Sequence, residues 1–335
     1  MHLRLLLNTT APVFSFGADQ SDPEVRAPEI RGALRYWLRA LLGAYMHASE
    51  VSKIESSLLG SDQIGSPLIV RLGAANGDFE DVPSTNIKTN KYQMLPHKNQ
   101  ALANALDDNS WLALEMVNRL GGAIDDRILA ALGLLLLFGG IGRRSRRMFG
   151  GLQLDDYTFL DGSKASKSIS LDNIVLRDID RKTANLPMAL QKVINNLIEQ
   201  STTLMRSVYQ KQELPFGEVP QYPIFHSKHC QIYIGKESFY NMPSKKSAAT
   251  AANESFFRSI AEFKHEDMIG YAKGNDRRAS PIHAQVRFLG DKAYPILTIF
   301  RSEIPKFTDW GRYNELIANL NNEWKLIHVW GEKWK

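Results

Sequence analysis

Apolar positions at three and four residue spacing run from Pro28 to about Met46 (Leu34, Leu38, Leu41, Leu42, Tyr45), which predicts a helix with Pro28 and Glu29 in its first turn. A short apolar run before it, His2 to Leu7, predicts a strand, and Asn8 to Gly17 breaks it with Thr, Pro and Gly. Leu68 to Leu72 predicts a second strand, delivered by the small-residue stretch Gly60-Ser61 and Gly65-Ser66-Pro67. The polar, Asn/Lys-rich region Gly73 to His97 suggests an extended hairpin or mobile insertion, and Leu102 to Leu120 reads as mainly helical. Asp125 to Phe138 predicts an apolar helix, followed by a Gly/Arg-rich loop and a strand through about Asp156.

The second half repeats this plan. After a polar linker at Leu160 to Ser168, Ser168 to Arg177 alternates like a strand and Pro187 to Tyr209 carries one helical stripe. Cys230 to Ile234, Ile282 to Leu289, Ile296 to Arg301 and Leu326 to Trp330 are β-like; Ser247 to Lys264 and Trp310 to Asn321 are helical. The order predicts an α+β chain of two tandem ferredoxin-like (RRM-like, βαββαβ) domains with helical insertions, divided into 1–160 and 161–335.

Composition narrows the function classes. The chain has 335 residues, and 41 Lys+Arg against 36 Asp+Glu leave a formal charge of +5, so where the cations cluster matters more than their total. The single cysteine, Cys230, excludes an intramolecular disulfide and a Cys-based zinc site. The amino terminus lacks the pattern of a secretory signal, and Ile128 to Phe138 is about half of the ~20 apolar residues needed to cross a bilayer. The chain therefore reads as cytosolic, with no membrane role.

The strongest chemical signal is the loop from Gly139 to Gly151. Gly139, Gly140, Gly142, Gly150 and Gly151 enclose Arg143, Arg144, Arg146 and Arg147, with no acidic residue between. Glycines let backbone N–H groups approach an anion closely, and arginine forks match phosphate oxygens, which points to nucleic acid; the bland alternative is a solvated turn. The loop follows a helix and leads into a strand, the reverse of Walker and Rossmann phosphate loops. Arg31, Arg35 and Arg39, four residues apart, form a basic ridge without an i±4 acid between them, and read either as an extension of an RNA track or as a solvated face. Trp37 is a candidate for base stacking or, more simply, for the core. Lys88, Lys91, Arg277 and Arg278 are lesser candidates.

The segment Gly17-Ala18-Asp19, together with Pro28-Glu29-Ile30-Arg31-Gly32-Ala33-Leu34-Arg35-Tyr36-Trp37-Leu38-Arg39-Ala40-Leu41, resembles the signature of the first subunit of the Cmr complex, within the RAMP superfamily. Leu59-Gly60-Ser61 with Gly65-Ser66, the Gly/Arg loop, and Arg278-Ala279-Ser280-Pro281-Ile282 are similar to further blocks of that family. The resemblance is dense over about the first 72 residues and the Gly/Arg loop. It implies two packed RRM-like domains, a basic cleft, and a non-catalytic, cofactor-free subunit capping the filament of a type III-B CRISPR complex in antiviral defence, near the guide's 3′ portion. Guide RNA, target RNA and other Cmr subunits would be its partners. The aromatic-rich strand motif of an RRM is absent, which argues against base stacking on a sheet face.

Two other readings remain open. RAMP relatives include ribonucleases, so Asp19 or Asp22 in the first loop, or a histidine base (His97, His226, His229 or His283), would serve RNA cleavage. His226, His229 and Cys230 invite a metal, but no second pair completes four ligands. A structural assembly protein would instead use the aromatic tail, Trp324 to Trp334, as an interface.

Overall fold

The computed structural model describes residues 2–18, 22–82, 88–92, 102–160, 168–177, 179, 185–209, 219–236, 239, 248–263, 267–273, 276–290, 292–304 and 309–334. In chain order they form β1 (His2–Thr9), α1 (Ala27–Leu42), α2 (Ala48–Leu59), β2 (Leu68–Ala75), β3 (Asp81–Val82), β4 (Thr89–Tyr92), β5 (Ala103–Leu106), β6 (Trp111–Asn118), α3 (Asp126–Phe138) and β7 (Leu152–Phe159). Then follow α4 (Leu186–Tyr209), β8 (Cys230–Gly235), α5 (Ala248–Ile260), β9 (Tyr271–Lys273), β10 (Asp276–Arg278), β11 (Ile282–Leu289), β12 (Lys292–Phe300), α6 (Gly311–Trp324) and β13 (Leu326–Trp330). The architecture is α+β with antiparallel sheets.

The first sheet has the order β3-β2-β6-β1-β7 and the second β11-β12-β8-β13. Every described pairing within them is antiparallel. In the first, Leu3, Leu5 and Leu7 alternate toward the helices, while Arg4 of β1 meets Glu115 of β6 and Asp81 on the other face.

The second sheet is buried on both faces. Tyr294, Ile296 and Phe300 of β12 join the core made with α1, α3 and α4, whereas Ala293, Leu297 and Ile299 join a separate core with α5 and α6. The layers thus run sheet, helices, sheet, helices. This explains α3: Ile128 to Phe138 is buried at every position, as a helix that is apolar all round must be, because it lies between two sheets. Asp125 caps its start, accepting from the Arg127 N–H at 2.9 Å.

Three expectations are corrected. Leu102 to Leu120 is not mainly helical but forms β5 and β6, separated by Asp107 to Ser110, where Asn109 takes a left-handed φ of 59°. Its Ala/Leu content mimics a helix, yet pairing of β6 with both β1 and β2 decides the structure. Ser168 to Arg177 is not a strand; Leu171–Ile174 is a 3-10 turn that packs on α3 and α4. The first strand of the second sheet is therefore β8, and α4 is a connecting helix rather than part of a βαβ unit. Helix α2 has no counterpart in the elements expected from the sequence. Most of the expected linker, 161–167, lies outside the described residues. No helix among the described residues is long and apolar enough to cross a membrane.

Candidate nucleic-acid interface

The Gly/Arg loop is stitched on one side to the segment that follows β1 and on the other to β11 of the second sheet. On one side Arg143 N–H donates to Phe14 O (2.7 Å) and Gly150 N–H to Pro12 O (2.9 Å); on the other Met148 N–H donates to Ala284 O (2.9 Å) and Ala284 N–H to Arg146 O (3.1 Å). Gly150 has φ +66°, and a Cβ there would lie 1.9 Å from Ile141 O, so glycine is required for the loop to close on itself. The glycines hold two parts of the molecule together as well as keeping the backbone open.

Each arginine has a different environment. Arg147 turns inward: its guanidinium donates to Ile269 O at 3.2 Å, and burial, with Arg144 nearby, lowers its pKa to about 10. Arg146 donates to Ser280 O and lies 4.6 Å over the Tyr36 ring. Arg143 is exposed and lies 5.0 Å over the Phe16 ring. Arg144 has φ 62°, is half-buried, and its guanidinium has no partner among the described residues. Burial lowers its pKa. No carboxylate among the described residues pairs with Arg144, Arg146 or Arg147.

Arg143 and Arg146, but not Arg144 or Arg147, line a cleft of about 420 Å³ whose wall also includes Phe14, Phe16, Tyr36 and Gly142. Glu29 also lines it, accepting from the Ser15 hydroxyl. At the floor, Tyr36 Oη and His283 Nε2 are 2.9 Å apart with their rings stacked. Burial pushes the Tyr36 hydroxyl up to about 12, against the nearby Arg146, and holds His283 well below the usual imidazole range. Trp37 is 1% exposed and packs in the core against Phe138 and Phe300.

The ridge on α1 is not a free cationic face. Arg35 and Arg39 both bind Glu55 of α2, Arg39 with its Nε and Nη2, and Arg35 also caps the end of α2 through Leu59 O (2.9 Å) and Gly60 O (2.7 Å). Arg31 reaches Leu68 O at 3.5 Å. The acid absent at i±4 comes from the neighbouring helix. Burial drives the Glu55 carboxyl up, but the hydrogen bonds and charges of Arg39 and Arg35 outweigh it and hold it below the usual range.

Lys88 and Lys91 are exposed, Lys91 within β4 and Lys88 just before it, and neither lines the cleft. Arg277 and Arg278 lie in β10, of which only the backbone is described. Asp19 and His97 lie outside the described residues, and Asp22 is exposed. His226 and His229 have ring centroids 6.0 Å apart; burial is the main cause that lowers both, His229 to about 4. No group of three or more His, Cys, Asp or Glu among the described residues could hold a metal. The tail tryptophans pack internally: Trp324 is fully buried, Trp330 stacks on Phe225 at 4.7 Å, and Trp334 donates to Lys228 O at 2.9 Å.

Beside His283, strand β11 supplies two residues that sequence reasoning passes over, Gln285 and Arg287. His283, Gln285 and Arg287 point along one face: Gln285 donates to Ser145 O in the loop, and Arg287 donates to Leu136 O (2.7 Å) and Gly139 O (3.0 Å) at the end of α3. Arg287 is wholly buried with no carboxylate partner among the described residues, and burial lowers its pKa to about 9; the carbonyl end of α3 is its counter-charge. The regular polar spacing in a strand otherwise apolar is the signal that could have found them.

Residues 7–153 match the family model described as the RAMP superfamily. Among curated proteins, the chain is similar to two from Pyrococcus furiosus. It is 32% identical over 83 residues to CRISPR system Cmr subunit Cmr1-2, covering 24% of this chain and 42% of that protein. It is 49% identical over 41 residues to Cmr1-1, covering 12% of each. The matched stretches thus span well under two thirds of either relative. In fold the chain resembles the apo crystal structure of Cmr1 from Pyrococcus furiosus, with a TM-score of 0.63, 15% identity and 99% of each chain covered. It also resembles a chain in the type III-B Cmr-beta complex bound to cognate target RNA, with a TM-score of 0.56, 10% identity, and 95% and 99% covered.

Proposed function

We propose that this chain is a Cmr1-like, non-catalytic subunit of a type III-B CRISPR ribonucleoprotein that holds the backbone of single-stranded RNA along the Gly/Arg loop and the cleft beside it. The observation that carries this is the uncompensated charge of the loop: Arg144 has no partner among the described residues, and Arg146 and Arg147 are satisfied by carbonyls and a ring, which leave their charge in place. A phosphodiester supplies the missing negative charge. The similarity in fold to a chain of a Cmr complex bound to target RNA supports the same ligand class.

The two halves, 1–160 and 161–335, are ferredoxin-like units. The strand orders support this: β7-β1-β6-β2 and β13-β8-β12-β11 both follow 4-1-3-2 in a βαββαβ succession. One sheet face of the second unit is covered by α3 and α4, so RNA does not bind there in the manner of an RRM. Guide or target RNA lies in the cleft near the guide's 3′ portion, and the subunit caps the backbone filament beside other Cmr subunits.

The test is RNA binding by the full chain at two salt concentrations, with cleavage products followed on the same samples. Arg143 and Arg144 changed together to Ala spare the internal contacts of Arg146 and Arg147. The expected result is salt-sensitive binding, weakened uniformly across sequences in the variant, with no cleavage and with the log–log salt slope reduced by about 1 for each phosphate that is no longer held. Unchanged affinity would make the loop purely structural, and cleavage products would assign a ribonuclease instead.

A further inference from the structure

Behind Tyr36, on the α2 side of α1, lies a second pocket of about 380 Å³ that shares this tyrosine as a wall with the Gly/Arg cleft. We infer that this pocket receives one unstacked nucleobase of the strand whose phosphates lie in the cleft, an inference that rests on the RNA reading above. Its apolar walls are Tyr36, Val51, Tyr222 and Pro223; its polar groups are Arg39, Ser52 and Glu55. A volume of this size lies within the range of pockets that hold small organic ligands, roughly 300–1,000 Å³, and so admits a base with part of its sugar.

The chemistry of the walls favours a base over a protein side chain. Arg39 grips Glu55 with Nε and Nη2, which fixes its guanidinium plane, while the side chain stays 57% exposed. A fixed guanidinium plane and an aromatic ring are the two surfaces on which proteins stack unpaired bases. Tyr222 supplies the ring, seated so closely on the end of α1 that a Cβ at Gly43 would lie 2.8 Å from its Cε2. Glu55 is charge-matched by two arginines and does not repel a nucleotide. An aliphatic side chain from a protein partner would match the apolar walls but would cover the exposed head of Arg39 without stacking on it. Tyr36 lines both the cleft and the pocket, so the phosphate and base sites adjoin along one track.

The experiment uses the full chain and single-stranded RNA oligonucleotides in which 2-aminopurine is moved stepwise along the strand. One position is expected to be quenched on binding. Ser52→Trp, which fills the pocket from an exposed helix position, and Tyr222→Leu should both abolish that quenching and weaken binding roughly fivefold or more, with the salt slope unchanged, as removal of one base stack requires. If RNA binds with a salt slope that depends on Arg143 and Arg144 but neither pocket variant changes fluorescence or affinity, the base pocket is refuted and the RNA interface stands. If the wild-type chain binds no RNA, both readings fall. Should Ser52→Trp instead break association with a purified Cmr subunit while leaving the quenched position intact, the pocket docks protein, and the inference is overturned.

Discussion

Two groups of arginines, seven residues in all, occupy very different positions in this molecule. Arg31, Arg35 and Arg39 are evenly spaced on a helix, yet two of them are consumed by one carboxylate, Glu55, which is 4% exposed. Arg143, Arg144, Arg146 and Arg147 are crowded into a turn where Arg143 and Arg146 meet aromatic rings and Arg146 and Arg147 carbonyl oxygens, and the last three of the four meet no described carboxylate. Hydrogen bonds to carbonyls satisfy donors without cancelling charge, whereas an ion pair does both. The cations that matter for a polyanion are therefore those whose neighbours are neutral, and counting arginines does not find them.

The comparison can be broken most forcefully at Glu55. Glu55→Gln leaves two guanidiniums facing each other across a neutral amide; the expected loss is about 3 kcal/mol, the low end for breaking a buried pair because Arg39 is half in water. Urea denaturation measures it, and an unchanged midpoint would show that the ridge is a solvated face after all. Since the folded carboxyl titrates below the unfolded one, the pair stabilises the fold above the unfolded value near 4.3 and loses that contribution as pH falls through the folded pKa. The gap between wild type and variant should close in that acidic window.

Next in size is Arg287→Met, which removes a buried cation and frees Leu136 O and Gly139 O; a loss of roughly 2 kcal/mol is expected in the same assay. A third effect comes from histidines that the fold keeps neutral. The unfolded chain takes up protons near 6.5 while His229 resists until about 4, so stability should fall as pH drops from 6.5 toward 4 and then level off for this group. His229→Gln should flatten that decline in a pH series of thermal melts. Smallest in stability is Arg144→Ala, within about 0.5 kcal/mol, because the side chain has no internal partner among the described residues. It should nonetheless lower the RNA salt slope by about 1, which makes it the cleanest contrast with Glu55→Gln.

Much of the fold is legible because it is local. The stripe on α1, the uniformly apolar α3, the strand after the Gly/Arg loop and the carboxy-terminal strands follow from periodicity alone. Residues 102–120 mislead because Ala and Leu favour a helix in isolation, while β6 owes its form to two neighbours distant in sequence. The loop is legible as a cationic, glycine-rich turn, but its distribution of work is not. That Arg147 faces Ile269, or that Gln285 reaches Ser145, depends on pairs more than a hundred residues apart. Glu55 is hidden for the same reason: the ridge's acid lies sixteen residues beyond Arg39, on another helix.

The layering has a consequence for biosynthesis. Helix α3 shows apolar side chains on all sides, and one of its flanks packs on β11 and β12, which begin at Ile282. A chain growing from the ribosome carries the finished helix for about 140 residues before this cover exists, a delay of roughly seven to thirty seconds at ordinary translation rates. During that interval the nascent protein presents a sticky flank, and its yield in a cell should depend on trigger-type chaperones and on how quickly the message is read beyond Phe138.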